Sequence, residues 1–209
     1  MRLYGFFRSG ASYRVRIALA LKGLKYESIS IPMRDNSHRS DSYREVNPQM
    51  RLPTLELDDG TRLIQSLAII DYLDAQYPEP RLIPADPLLR ARVLAVAQIV
   101  GSDVHPLNNI GVRVVLAKKF SASEAVLDEW AAYWTHEGFA AIEQLIEPGP
   151  FAFGSAITLA DLCIIPQVYN ARRYNVPLDA YPRILAVEQA AGKHPAFAAA
   201  APEAQPDAV

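Results

Sequence analysis

The sequence predicts an α/β domain followed by an all-α domain, and three observations carry that prediction. Strand-like and helix-like segments alternate through the first part of the chain. A run with four prolines in ten residues, Pro78-Glu79-Pro80-Arg81-Leu82-Ile83-Pro84-Ala85-Asp86-Pro87, then removes backbone donors and disfavours helix. Beyond that run strand signals vanish and helical periodicity dominates. The boundary therefore falls in the proline-rich stretch, giving residues 1–80 and 86–209 as the two domains.

Each element follows from its residues. Residues 3–7 are short and apolar and suit a strand. Ser9 to Ser12 is small and polar, which fits a tight turn ending in a helix N-cap. Apolar residues then recur at Val15, Ala18 and Leu19 and at Ile17 and Leu21, the pattern of a helix buried on most of its surface. Gly23 stands where a C-cap glycine belongs. Residues 26–31 alternate like a strand with one buried face, and 34–47 are polar, with room for a short helix around 41–46. Two prolines in Asn47-Pro48-Gln49-Met50-Arg51-Leu52-Pro53-Thr54-Leu55 interrupt regular structure, and Pro53 opens a strand over 54–57. Asp58-Asp59-Gly60 is a hairpin turn signal before a strand over 61–64. Gln65-Ser66 introduces a helix over 67–77, with Ser66 as its N-cap. The order β-α-β-α-β-β-α is thioredoxin-like.

In the second domain, helical patterns cover 88–110, 123–145, 159–174 and 181–192. Thr158-Leu159-Ala160-Asp161 has the form of a capping box with Asp in place of Glu, and Ile157 and Leu162 occupy the staple positions. The tail from Pro202, rich in Ala and Pro, is expected to fray. No internal repeat is visible.

Composition narrows the function. Of the 209 residues half are hydrophobic and 21% charged, as in an ordinary soluble protein, and the formal net charge is −2. That balance argues against a broad nucleic-acid surface and against electrostatic membrane binding. No apolar run approaches a membrane span, and the start, Met1-Arg2-Leu3-Tyr4, lacks a signal-peptide layout. The single cysteine, Cys163, excludes an internal disulfide and a thiolate zinc site, and no metal site is expected. A soluble, cytoplasmic protein is predicted.

The strand, hydroxyl-lined turn and helix over residues 3–23 form a site that favours an anion, and a thiolate is an anion. A serine beside free helix N–H groups, as at Gln65-Ser66, suits a carboxylate. A planar guanidinium grips a carboxylate bidentately.

At Arg8-Ser9-Gly10-Ala11-Ser12-Tyr13-Arg14-Val15-Arg16-Ile17-Ala18-Leu19 the chain resembles the zeta-class glutathione transferases, the maleylacetoacetate isomerases. Their signature reads Ser-Ser-Cys-x-(Trp or His)-Arg-Val-Arg-Ile-Ala-Leu. The variant here looks closer to a bacterial branch that isomerises maleylpyruvate. Gly10 and Ala11 stand where most members carry the second serine and the cysteine. The resemblance implies a thioredoxin-like glutathione-binding domain, an all-α substrate domain, glutathione as cofactor and a homodimer. It implies that Ser9 donates a hydrogen bond to the glutathione sulfur, with Ser12 capping the helix or lending a second donor. It further implies that Leu52, before a cis Pro53, pairs its backbone with the cysteinyl part, and that Gln65 and Ser66 hold the γ-glutamyl carboxylate. His38 aligns with a position reaching the glycine end, and His105 to Asn109 resembles a wall of the site. Arg8 and Arg173 would take the substrate's carboxylates. Related isomerases often carry arginines just after Asn109, where this chain has Ile110 and Gly111; Arg113 is the nearest substitute. The implied function is glutathione-dependent cis–trans isomerisation of a maleyl diketo diacid, maleylpyruvate or maleylacetoacetate. The alternatives are a general glutathione transferase acting on small electrophilic or halogenated acids, and a glutathione-binding fold that only scaffolds a partner.

Overall fold

The computed structural model describes residues 1–33 and 37–208, so the polar stretch predicted over 34–47 begins outside the described residues. The chain forms two compact units: Met1–Leu82 together with the segment from Gly192 onward, and Ile83–Ala191.

The first unit contains β1 (Arg2–Gly5), α1 (Gly10–Leu21), β2 (Glu27–Ser30), α2 (Asp41–Val46), β3 (Thr54–Glu56), β4 (Arg62–Ile64) and α3 (Ser66–Gln76). Its sheet runs β2-β1-β3-β4, with β1 parallel to β2 and antiparallel to β3, and β3 and β4 joined as a hairpin. This is the thioredoxin-like arrangement that the element order predicts. Gly60 closes the hairpin at φ +85, a conformation that disfavours a Cβ. Helix α1 ends as expected. The N–H of Gly23 (φ +64) bonds to Ala20 O and that of Leu24 to Leu19 O, the two bonds of a Schellman motif. The sheet edge differs from prediction, because in β2 only Ile29 is partly covered and the other residues are exposed.

The tail does not fray. After α9 (Pro195–Ala200) packs on α1, Arg16 Nε donates to Ala200 O at 2.9 Å. Asp207 accepts from Phe7 N at 3.2 Å and from Ser30 Oγ at 2.7 Å. These bonds hold the last described residues to the first unit, although the expected second domain ran to the end of the chain.

The second unit is helical: α4 (Pro87–Gln98), a π-helical segment Ile99–Val104, α5 (Ile110–Phe120), α6 (Glu124–Leu145), α7 (Leu159–Arg173) and α8 (Pro182–Ala191). Its core includes Val93, Val96, Ala97, Leu162 and Ile164, all fully buried where α4 meets α7. The helix predicted over 88–110 is thus broken. Its ladder widens at the π segment, where His105 N reaches back to Val100 O. Val104 there packs so closely on α6 that a Cβ at Gly138 would lie 2.1 Å from its methyl. Helix α5 was not predicted, because Ile110, Val114, Val115 and Phe120 all face outward and leave no core-facing stripe. The capping box forms as expected. Asp161, fully buried, takes Thr158 N at 2.7 Å, the Thr158 hydroxyl at 3.0 Å and Ala152 N at 2.7 Å.

Candidate active site

Strand register alone gathers three of the predicted segments. Tyr4 pairs with Thr54, and Thr54 with Ile64. The end of β1, the start of β3 and the end of β4 therefore lie at one end of the sheet. Chain leaving β1 reaches Ser9, chain entering β3 passes through Leu52-Pro53, and chain leaving β4 is Gln65-Ser66.

Ser9 is the N-cap of α1. Its backbone is extended (φ −66, ψ 113) and its Oγ accepts Ser12 N at 3.2 Å. The cap thus falls earlier than predicted, because Gly10 and Ala11 are already helical. Ser12, in the third helical position, is completely buried beside Gly5, where an added Cβ would sit 3.2 Å from its Oγ. The Ser12 hydroxyl therefore neither caps the helix nor faces solvent, whereas Ser9 is half-buried. Arg8, also half-buried, lays its guanidinium over the Phe7 ring at 4.9 Å.

The Leu52–Pro53 peptide is cis, as the resemblance implies. Gln65 rather than Ser66 takes the N-cap position of α3, with φ +70, ψ 115 and no side-chain cap bond. That backbone is costly for a residue with a Cβ, and such strain clusters at ligand sites. Ser66 is the first helical residue, nearly buried, and its Oγ accepts from Arg14 at 3.3 Å. This bond ties α1 to the start of α3. His38 is half-buried in the short 3-10 helix Ser37–Arg39.

The remaining predicted residues belong to the second unit. His105 closes the π segment and is half-buried. Asn109 caps α5: its Oδ1 accepts Gly111 N at 2.8 Å and its Nδ2 donates to Pro106 O at 2.9 Å. Asn108 is a core residue bonded to Thr135 Oγ1.

The arginines separate clearly. Arg113 is buried and committed, donating to Leu127 O, Glu124 and Asp128 while its guanidinium covers the Tyr174 ring at 4.5 Å. It is therefore a structural tie between α5, α6 and the end of α7, not a substitute carboxylate clamp. Arg172 is held bidentately by Glu188 at 2.7 and 2.6 Å. Arg173 is exposed and meets only the edge of this cluster, 5.7 Å from the Tyr174 ring. Sequence reasoning missed Tyr43, Asn47 and Thr54, whose buried hydrogen bonds shape the loop before Pro53; the Asn47-Pro48 pair was the available signal.

A thioredoxin-like unit with this loop and helix arrangement, joined in one chain to an all-helical unit, defines the glutathione S-transferases. The N-terminal domain model of that family matches residues 3–81 and its C-terminal domain model matches 121–190. The chain belongs to this family, in its zeta-class, maleylacetoacetate isomerase branch. It is 48% identical to the maleylacetoacetate isomerase of Pseudomonas aeruginosa over 99% of this chain and 98% of the relative. Among solved structures it is similar to a holo maleylpyruvate isomerase, a bacterial zeta-class enzyme, with a TM-score of 0.97, 46% identity and full coverage of both chains. It is also similar to a maleylacetoacetate isomerase from Anaeromyxobacter dehalogenans with glutathione in its active site. There the TM-score is 0.90 and identity 39%, over 100% of this chain and 97% of that one.

Proposed function

We propose that the protein is a glutathione-dependent cis–trans isomerase of a maleyl diketo diacid, maleylpyruvate or maleylacetoacetate. The observation that supports this reading is the sheet register, which sets side by side the strand ends that lead to Ser9, to cis Leu52-Pro53 and to Gln65-Ser66. A hydroxyl, an extended-peptide partner and a carboxylate site are the parts glutathione requires. Glutathione's thiolate is favoured by the Ser9 hydroxyl and the N-terminal end of the α1 dipole.

Bound there, glutathione would supply a thiolate that adds reversibly to the cis double bond, allows rotation and is then expelled, so that it would return unchanged with no electrons gained or lost. Arginines orient the diacid while enolate charge develops. Arg173 suits that task because Arg172 and Arg113 are already held by carboxylates. Arg8 lies one residue from the Ser9 hydroxyl and supplies a second cation. His38 and Asn109, with His105, are proposed to line the rest of the site. A reducing cytoplasm, which keeps glutathione as the thiol, is the proposed setting, and the family resemblance supports a homodimer.

A second reading, a transferase that consumes glutathione on small electrophilic acids, draws on Ile110 and Gly111 and on the commitment of Arg113, which leave fewer guanidiniums to demand a diacid. Incubation with each maleyl substrate, with and without glutathione, distinguishes the two. Isomerisation changes the absorbance only with glutathione present and leaves the thiol titre constant. A falling titre would favour transfer, and no change with either substrate would remove the isomerase reading.

A further inference from the structure

The loop between α2 and β3 is held by a buried hydrogen-bond cluster centred on Asn47. Asn47 ends α2 and is 1% exposed. Its Nδ2 donates to Arg51 O at 2.8 Å and to Thr54 Oγ1 at 3.1 Å, and its Oδ1 accepts Gln49 N at 2.9 Å. The Tyr43 hydroxyl, equally buried, gives Arg51 O a second donor at 2.8 Å. Arg51 directly precedes Leu52 and the cis Pro53. Gln49, whose N–H Asn47 fixes, turns its Oε1 to Gln65 Nε2 at 2.8 Å. Both segments proposed to hold glutathione, Leu52-Pro53 and Gln65-Ser66, are thus tethered to one amide.

We propose that Asn47 is the positioning residue of the glutathione site, setting the Leu52 backbone and the Gln65 side chain at the spacing the tripeptide requires. The proposal rests on the glutathione reading of Leu52, Gln65 and Ser66. Only a carboxamide fits the position. It supplies two donors and an acceptor in one plane, whereas a carboxylate would turn an acceptor toward the Arg51 carbonyl. Buried networks of this kind are sensitive to losing one member, since the partners left behind have no water to replace it.

Calorimetric titration of glutathione into the full chain, with steady-state kinetics alongside, tests this. Asn47→Asp is expected to weaken glutathione binding about tenfold or more, as loss of a buried charge-free hydrogen-bond set should. The KM for the diacid at saturating glutathione should stay within about twofold, because Asn47 touches neither substrate. Tyr43→Phe removes only the second donor to Arg51 O and serves if Asn47→Asp fails to fold; about threefold weakening is expected. Ser66→Ala is the reference for the underlying reading. If Ser66→Ala weakens glutathione while Asn47→Asp and Tyr43→Phe bind it normally, the positioning role is overturned and the glutathione reading stands. If Ser66→Ala and Gln65→Ala also bind normally, that reading falls and takes the proposal with it. An Asn47→Asp protein with lowered melting temperature and kcat but unchanged glutathione affinity would make Asn47 merely structural, and would equally overturn it.

Discussion

Ser9 has two duties, and substitutions separate them. As N-cap it accepts Ser12 N, and as a half-buried hydroxyl it is the proposed donor to the glutathione sulfur. Replacing an N-cap serine with alanine costs about 0.5–2 kcal/mol, whereas glycine costs only a few tenths. Ser9→Gly should therefore keep a near-normal melting temperature and Ser9→Ala should lower it, yet both should raise the pKa of bound glutathione, read from thiolate absorbance. An unmoved pKa in both would leave thiol activation to the helix dipole. The arginines divide in the same way. Arg173→Ala is expected to raise the KM for the diacid about ten- to hundredfold, the equivalent of a charge-assisted hydrogen bond of ~1.5–3 kcal/mol. Arg172→Ala should change it less than about twofold, because Glu188 already occupies that guanidinium. Equal effects would mean that the wrong arginine has been assigned. At this scale the sequence misplaced caps by a residue or more. Ser9 and Ser12 are both serines, and only the backbone angles show which one is extended. Similarly, nothing in the letters Gln65-Ser66 announces a φ of +70 at the glutamine.

Elements were legible where their signals are local. The Thr158–Asp161 box could be seen in four letters because its bonds join residues three apart. Helix α5 could not, since Ile110, Val114, Val115 and Phe120 are exposed and no periodicity marks a buried face. Nor could the π segment, whose Val104 packs against Gly138 from far along the sequence. The box also carries a prediction. Asp161 accepts two backbone N–H groups and a hydroxyl with no exposure to solvent, so Asp161→Ala leaves Ala152 N and Thr158 N buried without partners. Each such orphan costs about 1–3 kcal/mol, which makes a loss of roughly 3–5 kcal/mol the expected result in urea denaturation. Asp161→Asn keeps an acceptor oxygen and should lose less. If the two variants unfold alike, the hydrogen bonds are not what the carboxylate contributes.

For the whole chain, the two-unit division was visible in the proline run, while the return of the tail to the first unit was not. That return is carried by a carbonyl of Ala200 and by Asp207, and neither leaves a periodic trace. One carboxylate in each unit ties stability to acid, and the two do so in opposite senses. In the sheet of the first unit, Glu56 is covered by two arginine side chains. Arg62 Nε donates to it at 2.9 Å, and the Arg2 guanidinium bonds to its other oxygen. The Arg62 hydrogen bond is the main cause that holds its pKa below the ordinary 4.5; burial opposes it, and the charges of Arg2 and Arg62 add to the lowering. The folded state therefore binds fewer protons at Glu56 than the unfolded chain does. Stability from this group is fully present above about pH 4.5 and is lost as pH falls through the lower folded value. In the second unit, burial raises Asp161 above its ordinary 3.8, outweighing the hydrogen bonds from Ala152 and Thr158. Its folded form takes up a proton more readily than the unfolded chain, so acidification relieves a cost there instead of imposing one. Amide hydrogen exchange should accordingly show protection in β1 and β3 falling faster than in α7 as the pH is lowered through 4.5 and below. Glu56→Gln, which cannot titrate, should be less stable at neutral pH and should flatten the decline in β1 and β3. If β1, β3 and α7 lose protection in parallel, or if the Glu56→Gln protein keeps the same acid dependence, the ion-paired glutamate does not set the acid response of the first unit.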